Sequence, residues 1–200
     1  MNTQTERVVE IPWLLSRVGT PENVLDIGAI DSSYIQDLRD VASEQVVGID
    51  TRREALPKGV ELVVASVGKL PKDWNNKFDL VTCVSVLDHI GLEAYGNEEK
   101  KGELEKACKE IARVCSDRFL FTVPFGIDHV TSHPGGGQRV FDRKALGILF
   151  PRNIWTWKAS TYWKLNEAGD YIQASMIDVK DCTYAEYRAA AVVAMELVKK

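Results

Sequence analysis

The chain has 200 residues, enough for one domain with a sizeable core. It is 45% hydrophobic and 27% charged, with a formal net charge of −4. That balance argues against a sequence-wide electrostatic grip on nucleic acid or an anionic membrane, and no apolar run approaches the ~18–20 residues of a membrane span.

The polar start, Met1 to Glu6, lacks the charged-then-apolar pattern of a signal peptide, so a cytoplasmic protein is expected. Val8, Ile11, Leu15 and Val18 recur at helical spacing. Pro12 is tolerable there only in the first turn, and Gly19-Thr20-Pro21 stops the helix. Residues 24–27 form a compact apolar strand. Ser32-Ser33 can cap a helix whose face carries Ile35, Leu38 and Val41. Residues 45–49 are a second strand ending at Asp50, and residues 60–65 a third. Residues 78–86 are a fourth, almost continuously apolar, as buried parallel strands are.

Leu104, Ala107, Cys108, Ile111 and Val114-Cys115 describe one face of a helix, with charged residues opposite. Residues 118–123 are a fifth strand closed by Pro124. A polar loop then runs through Gly135-Gly136-Gly137, and Asp142 caps a short helix to Phe150. Residues 154–165 alternate as a strand does, 167–170 read as a turn, and 189–198 as a final strand. Strands alternating with helices imply a parallel sheet, and the late hairpin-like turns imply an antiparallel edge. Cys83, Cys108, Cys115 and Cys182 form no CxxC pair and read as free thiols.

In an open parallel sheet, ligands bind beyond the carboxyl ends of the strands. Four loops there carry the chemistry. Gly28 lets a ligand approach the backbone, and the segment after it offers free amides. Asp50 can accept hydrogen bonds from two ribose hydroxyls; capping a loop is the plainer alternative. Ser66-Val67 can flank an adenine ring or form an ordinary turn. Ser85 to Ile90 follows the fourth strand, where a reactive group would meet its substrate. His89 is a candidate there, with a structural histidine as the alternative.

The long loop over residues 125–143 carries His129, His133, Arg139 and Asp142, and such loops often wall a binding site. His129 and His133 have His-x3-His spacing, but Pro134 argues against a helix and no further ligand is near, so no metal is expected. Arg139 can pair with an anionic substrate group or form a surface salt bridge. The triple glycine lacks the Lys-Ser/Thr of a phosphate-binding loop.

The ordered set of segments resembles the class I S-adenosylmethionine-dependent methyltransferases. Val24-Leu25-Asp26-Ile27-Gly28 is similar to their first motif, and Val47-Gly48-Ile49-Asp50 to their acidic second-strand end. Phe78 to Ile90, closing in Leu87-Asp88-His89-Ile90, is similar to their fourth strand, and Phe119 to Pro124 to their fifth. The resemblance covers residues 8–150. It implies a Rossmann-like, doubly wound α/β fold in one domain over residues 1–200, with 125–143 as a substrate loop and 151–200 as antiparallel strands.

It further implies S-adenosyl-L-methionine as cofactor. Asp26 and Gly28 would lie at its amino-acid end, Asp50 at the ribose, Ser66 and Val67 by the adenine, and Ser85 and Val86 near the sulfonium, with Ala29 and Thr51 as further cofactor-binding residues. His89 and His129 are candidate bases for an acceptor that holds a proton, and His133, Arg139 and Asp142 candidate substrate contacts. Glu10-Ile11-Pro12-Trp13, with Leu87 to Leu92 and Tyr95-Gly96, resembles small bacterial and archaeal members, some associated with surface-glycan genes. That implies a small-molecule acceptor, of sugar or glycan-precursor type, with no nucleic-acid or membrane partner and a homodimer as a compatible assembly.

One departure stands out. The family's first loop reads Gly-x-Gly-x-Gly, and here Ile30 and Ser32 replace two glycines. A branched Ile30 cannot adopt positive φ cheaply and is expected to crowd the methionine portion. Ser66 also stands where the family has an acid. A non-catalytic methyltransferase-like binding protein is therefore the alternative function. A nicotinamide-dependent dehydrogenase would need Gly-x-Gly-x-x-Gly after the first strand, which is absent.

Overall fold

A computed structural model describes residues 5–93, 99–133, 136–185 and 188–200. Its helices are α1 (Arg7–Val18), α2 (Ile35–Val41), α3 (Glu103–Val114), α4 (Arg143–Leu149) and α5 (Met176–Val179). The strands are β1 (Asn23–Ile27), β2 (Gln45–Asp50), β3 (Val60–Val64), β4 (Phe78–Val84) and β5 (Cys115–Pro124), then β6 (His129–His133), β7 (Gly136–Val140), β8 (Trp155–Leu165), β9 (Tyr171–Ala174), β10 (Tyr184–Ala185), β11 (Arg188–Ala189) and β12 (Ala191–Lys199).

Eight strands make one sheet in the order β3-β2-β1-β4-β5-β12-β8-β9. β3 through β5 are mutually parallel, and β12, β8 and β9 add antiparallel pairs at one side. The fold is thus the expected doubly wound α/β sheet with an antiparallel C-terminal edge. Strand order reverses at β1 and β4: β2 and β3 lie on one side of this switch point, β5 on the other.

Side chains alternate across the sheet, as the period of two requires. Val81 and Cys83 of β4, with Phe119, Phe121 and Val123 of β5, pack against α3 and the aromatic cluster of Phe150 and Trp155. Leu80, Val84 and Leu120 point to the other face, against Trp13, Leu14, Ile35 and Leu38 of α1 and α2.

Helix α1 differs from its expected form. Its buried residues are Glu10, Trp13, Leu14 and Val18, while Val8 and Leu15 of the expected apolar face are exposed. Pro12 sits in mid-helix, where its missing N–H costs a backbone hydrogen bond. Tertiary ties hold the helix in spite of this. Trp13 Nε1 donates to Thr161 Oγ1 (3.1 Å), and Arg118 donates to the Arg17 and Val18 carbonyls (2.7 Å each), closing the C-terminus that Gly19 (φ 68°) turns away.

Three further expectations change. Ser32-Ser33 do not cap α2: Tyr34 is the N-cap residue and makes no side-chain cap. Residues 125–143 are no open loop, because β6 and β7 pair there as an antiparallel hairpin. Val41, assigned to the apolar face of α2, is exposed. Asp142 does cap α4, its Oδ1 accepting from Ala145 N at 2.6 Å. The cysteines are free, with Cys83, Cys108 and Cys115 buried.

Candidate functional site

The carboxyl ends of β3, β2, β1 and β4 open onto a cavity of about 500 Å³. At the end of β1 the chain turns at Gly28, whose φ of 82° belongs to the left-handed region. A methyl group at that position would overlap Val86 Cγ2, so the turn has room for glycine only. Ala29–Asp31 continue as a short 3-10 turn packed on Gly48, where a Cβ would in turn overlap Ala29.

The two missing glycines are not needed for this path. Among described residues other than glycine, only Asn76 and Ser85 have positive φ, so Ile30 is unstrained. Ile30 is not on the cavity wall, whereas Gly28, Asp31 and Ser32 are. The expected crowding by Ile30 is therefore corrected: the 3-10 turn carries its side chain elsewhere.

At the end of β2, Asp50 faces the cavity beside Thr51 and Arg52. Its Oδ1 accepts from the Arg52 amide (3.0 Å) and Nε (3.1 Å), and its Oδ2 from the Ile30 amide (3.3 Å) and Arg52 Nη2 (3.3 Å). Burial opposes the charge, but the Arg52 guanidinium and these amides outweigh it and hold the carboxyl below its ordinary range. Arg52 also reaches Asp31 (2.7 Å). Sequence reasoning missed Arg52. Its only signal was a cation two residues beyond the strand-end acid. Ser66 and Val67 line the cavity beyond β3.

Asp26 lies below the floor of the cavity, not on its wall, and is completely buried. Thr82 Oγ1 (2.6 Å) and Tyr34 OH (3.0 Å) both donate to its Oδ1. Its Oδ2 and the buried Ser32 Oγ meet no partner at full hydrogen-bond geometry, although Ser32 stands close enough to favour the Asp26 charge. Burial pushes the Asp26 carboxyl up to about 6, against the hydrogen bonds that favour its charge. Ala29 is likewise buried under the floor.

The β4 end carries a group that sequence reasoning also missed. Ser85 sits at φ 46°, a strained value for a non-glycine residue. Its amide donates to Thr122 Oγ1 (3.0 Å) and its hydroxyl to Glu10 Oε1 (2.7 Å). Glu10 is completely buried, and burial pushes its carboxyl up to about 7 although Arg7 pulls it down. Arg7 Nη1 meets Glu10 Oε2 (3.2 Å) and the Val84 carbonyl (2.9 Å), and Arg7 lines the cavity.

His89 lines the same cavity, with Nδ1 2.9 Å from the Gly137 carbonyl oxygen and Nε2 3.2 Å from Asp88 Oδ2. Gln138 Nε2 donates to that Asp88 oxygen as well (2.7 Å). Both ring nitrogens are thus engaged with acceptors of the β4 loop and β7. His129 stands off the cavity, its Nδ1 2.7 Å from the Ile127 carbonyl oxygen. Asp142 is engaged as the α4 cap. His133 pairs with Gly136 by its backbone, and its side chain lies outside the described residues.

Arg139 lines a second hollow of about 800 Å³, which shares Ile90, Gly91, Leu92 and Lys100 with the first. Among the described residues no group of three or more His, Cys, Asp or Glu could hold a metal ion, and no helix is long and apolar enough to cross a membrane.

These groups fit a long, polar-ended ligand. Neighbouring strands lie about 4.8 Å apart, so the walk from Ser66 past Asp50 and Gly28 to Ser85 spans roughly 14 Å. Ser32 lines one end of the cavity, with the buried Asp26 beneath it. The glycine turn admits close backbone approach in the middle, and Asp50, whose two oxygens already accept from Arg52 and the Ile30 amide, stands at the neighbouring strand end.

The comparisons agree. A family model described as a methyltransferase domain matches residues 25–119. No curated protein matches in sequence. Among solved structures, the chain is similar to the 1,6-didemethyltoxoflavin-N1-methyltransferase of Burkholderia thailandensis, solved with 1,6-didemethyltoxoflavin and S-adenosylhomocysteine. That match has 16% identity and a TM-score of 0.65, and covers 94% of this chain and 76% of that one. An S-adenosylmethionine dependent methyltransferase from Mesorhizobium loti matches at 13% identity and TM-score 0.63, over 94% and 97%. The magnesium protoporphyrin IX methyltransferase of Synechocystis PCC 6803, with bound S-adenosylhomocysteine, matches at 14% and 0.57, over 95% and 80%.

Proposed function

We propose that the chain is a class I S-adenosylmethionine-dependent methyltransferase, whose cavity over β3, β2, β1 and β4 holds the cofactor while a small acceptor enters from the second hollow. One observation carries this reading: the ordered polar groups across four adjacent strand ends at the switch point.

The bound cofactor supplies an electrophilic methyl group on a sulfonium. The protein's work is alignment of the acceptor and exclusion of water. Ser66 and Val67 are read as the adenine wall, Asp50 and Thr51 as the ribose contacts, and Gly28 as the backbone approach. Asp26 supports the amino-acid end from below, through Thr82 and Tyr34, which donate to it. Ser85 and Val86 line the region read as the transfer site. His89, the one described histidine on the cavity wall, is tied at both ring nitrogens, so we assign it the orienting of the β4 loop against β7.

The acceptor is read as a polar small molecule. Glu93, Lys101, Glu105, Thr131 and Arg139 surround the second hollow, and their hydrogen-bonding character suits a sugar or glycan precursor better than an apolar compound. Arg139 Nη1 is buried without a partner, which supports a contact to an anionic or hydroxyl oxygen of the acceptor.

The ribose assignment has a direct test. Asp50→Ala is expected to weaken S-adenosylhomocysteine binding by about 1–3 kcal/mol, or roughly 10–100-fold, through lost charge-assisted hydrogen bonds. Calorimetric titration measures it, and unchanged affinity would refute the ribose role. A second expectation concerns the acceptor. Arg139→Gln should lower turnover of anionic or sugar acceptors at least tenfold while cofactor affinity stays constant; a steady turnover with a lower cofactor affinity would reverse the assignment.

A further inference from the structure

Glu10 is a buried carboxyl beside the cavity to which the reading above gives no task. It is completely buried, yet it lies one hydrogen bond from the cavity wall. Its Oε1 accepts from the Ser85 hydroxyl at 2.7 Å, and Ser85 lines the cavity at the carboxyl end of β4. We propose that Glu10, acting through Ser85, is the proton acceptor of the transfer: it loses its proton when the cofactor's sulfonium binds and regains one when transfer leaves a neutral thioether. This rests on the methyltransferase reading above, with Ser85 at the transfer site.

The geometry makes the coupling strong. Charges in a dry interior act on one another through a low effective dielectric, so a cation entering at the β4 end favours the ionised carboxyl. Ser85 holds the contact in place. A strained φ persists only where its surroundings over-determine it, and here two hydrogen bonds do so. The Ser85 amide, at φ 46°, donates to Thr122 Oγ1 (3.0 Å) and the hydroxyl to Glu10. Glu10 touches no ligand and acts only through Ser85 and its own charge.

The groups facing Glu10 set how readily it titrates. Burial pushes its carboxyl up to about 7. Arg7, 3.2 Å from Oε2, opposes that rise, and Glu6 adds to it. Ser85 at the β4 end and Thr122 of β5 bond the carboxyl and favour its charge. Tyr171 of β9 stands near as well. Burial pushes its hydroxyl far up, so it stays neutral and donates to the Ala189 carbonyl at 2.6 Å. The carboxyl therefore changes its proton occupancy when one charge is added or removed beside it.

Protons and electrons balance in this scheme. In transfer, the S–C bond breaks with its electron pair left on sulfur, and the acceptor hydroxyl oxygen bonds the carbon. The hydroxyl proton goes to Ser85 Oγ, and the Ser85 proton goes to Glu10 Oε1. The carboxyl gains proton affinity as the positive charge on sulfur disappears. This needs no proton acceptor at His89, whose ring nitrogens are tied to Gly137 and Asp88.

The test compares S-adenosylmethionine with S-adenosylhomocysteine on the full chain, with no acceptor added. Calorimetric titrations in buffers of different ionisation heat count the protons released. Near pH 7, S-adenosylmethionine is expected to release about half a proton more than S-adenosylhomocysteine, and its relative affinity should rise about tenfold from pH 6 to 8. Glu10→Gln should remove this excess. Asp26 stands under the end that both ligands share, so Asp26→Asn should leave it in place. Ser85→Ala removes a hydrogen bond that favours the Glu10 charge and should move the window to higher pH; it carries the test where Glu10→Gln fails to fold. Equal proton release by the two ligands, an excess that persists in Glu10→Gln or vanishes in Asp26→Asn, or a window unmoved by Ser85→Ala overturns the role of Glu10 and leaves the cofactor reading intact. A wild-type chain that binds neither ligand overturns both.

Discussion

Gly28→Ala is expected to destabilise the fold by on the order of 2–5 kcal/mol and to abolish measurable S-adenosylhomocysteine binding. Two independent costs add. A left-handed φ of 82° costs an L-residue about 1–2 kcal/mol. The added methyl also overlaps Val86 Cγ2, and overpacking of this kind costs about 1–3 kcal/mol. The site offers little escape, because the Gly28 amide is bonded to the Ile49 carbonyl at 2.8 Å and the next residue is packed on Gly48. Urea unfolding measures the first effect and calorimetry the second. The double variant Gly28→Ala/Val86→Ala removes the overlap but keeps the φ penalty, so the two changes should couple favourably by about 1–3 kcal/mol. Strict additivity would show that Val86 does not limit the turn.

Stability is expected to fall as pH rises from about 4 to about 7.5, opposite to the usual acid denaturation of paired carboxylates. Glu10 and Asp26 are the cause. Burial raises Glu10 from 4.5 to about 7 and Asp26 from 3.8 to about 6. Each therefore binds its proton more tightly in the folded chain. Their stabilising contribution is complete below the unfolded values and is lost as pH passes the folded ones, at on the order of 3 kcal/mol each. Asp50 and Glu110 have lowered values and act in the opposite sense, but only below the ordinary carboxylate range, so the windows separate. Denaturant titrations at several pH values read the slope. Glu10→Gln and Asp26→Asn should each flatten it, and a wild-type profile that rises between pH 5 and 7 would contradict the raised values of these two groups.

The parallel half of the fold was legible because buried parallel strands are nearly continuous apolar runs. The segments at Val24, Val46 and Leu80 show this directly, and all five parallel strands are present in the expected order, although β4 ends at Val84, short of residue 86, and β5 begins at Cys115, which was read as helical. The final strand was legible by context, since a sheet edge opened by Trp155–Leu165 needs a partner, and Ala191–Lys199 pairs with both it and β5.

Helix α1 was misread for a physical reason. Val8 and Leu15 suggested one apolar stripe, while the real inner face carries Glu10 beside Trp13 and Leu14. A buried carboxylate looks in sequence like a solvated one; only the tertiary partners Arg7 and Ser85 make its burial affordable. The hairpin of β6 and β7 was hidden likewise, because its glycines read as loop.

Within the site, the strand-end residues were legible from topology alone. Gly28, Asp50, Ser66, Ser85 and His89 all line one cavity. Arg52 and Arg7 were not, since exposed-looking arginines in a sequence carry no sign of the carboxylates they will meet. The two absent glycines misled in the other direction. Their place is taken by a 3-10 turn that needs positive φ only at Gly28.

The central claim is that the four strand ends form one cofactor cavity, and calorimetric titration of the wild-type chain with S-adenosylhomocysteine tests it most directly. The account predicts saturable one-to-one binding that weakens in Asp50→Ala and disappears in Gly28→Ala. No heat and no thermal shift at millimolar ligand would contradict it.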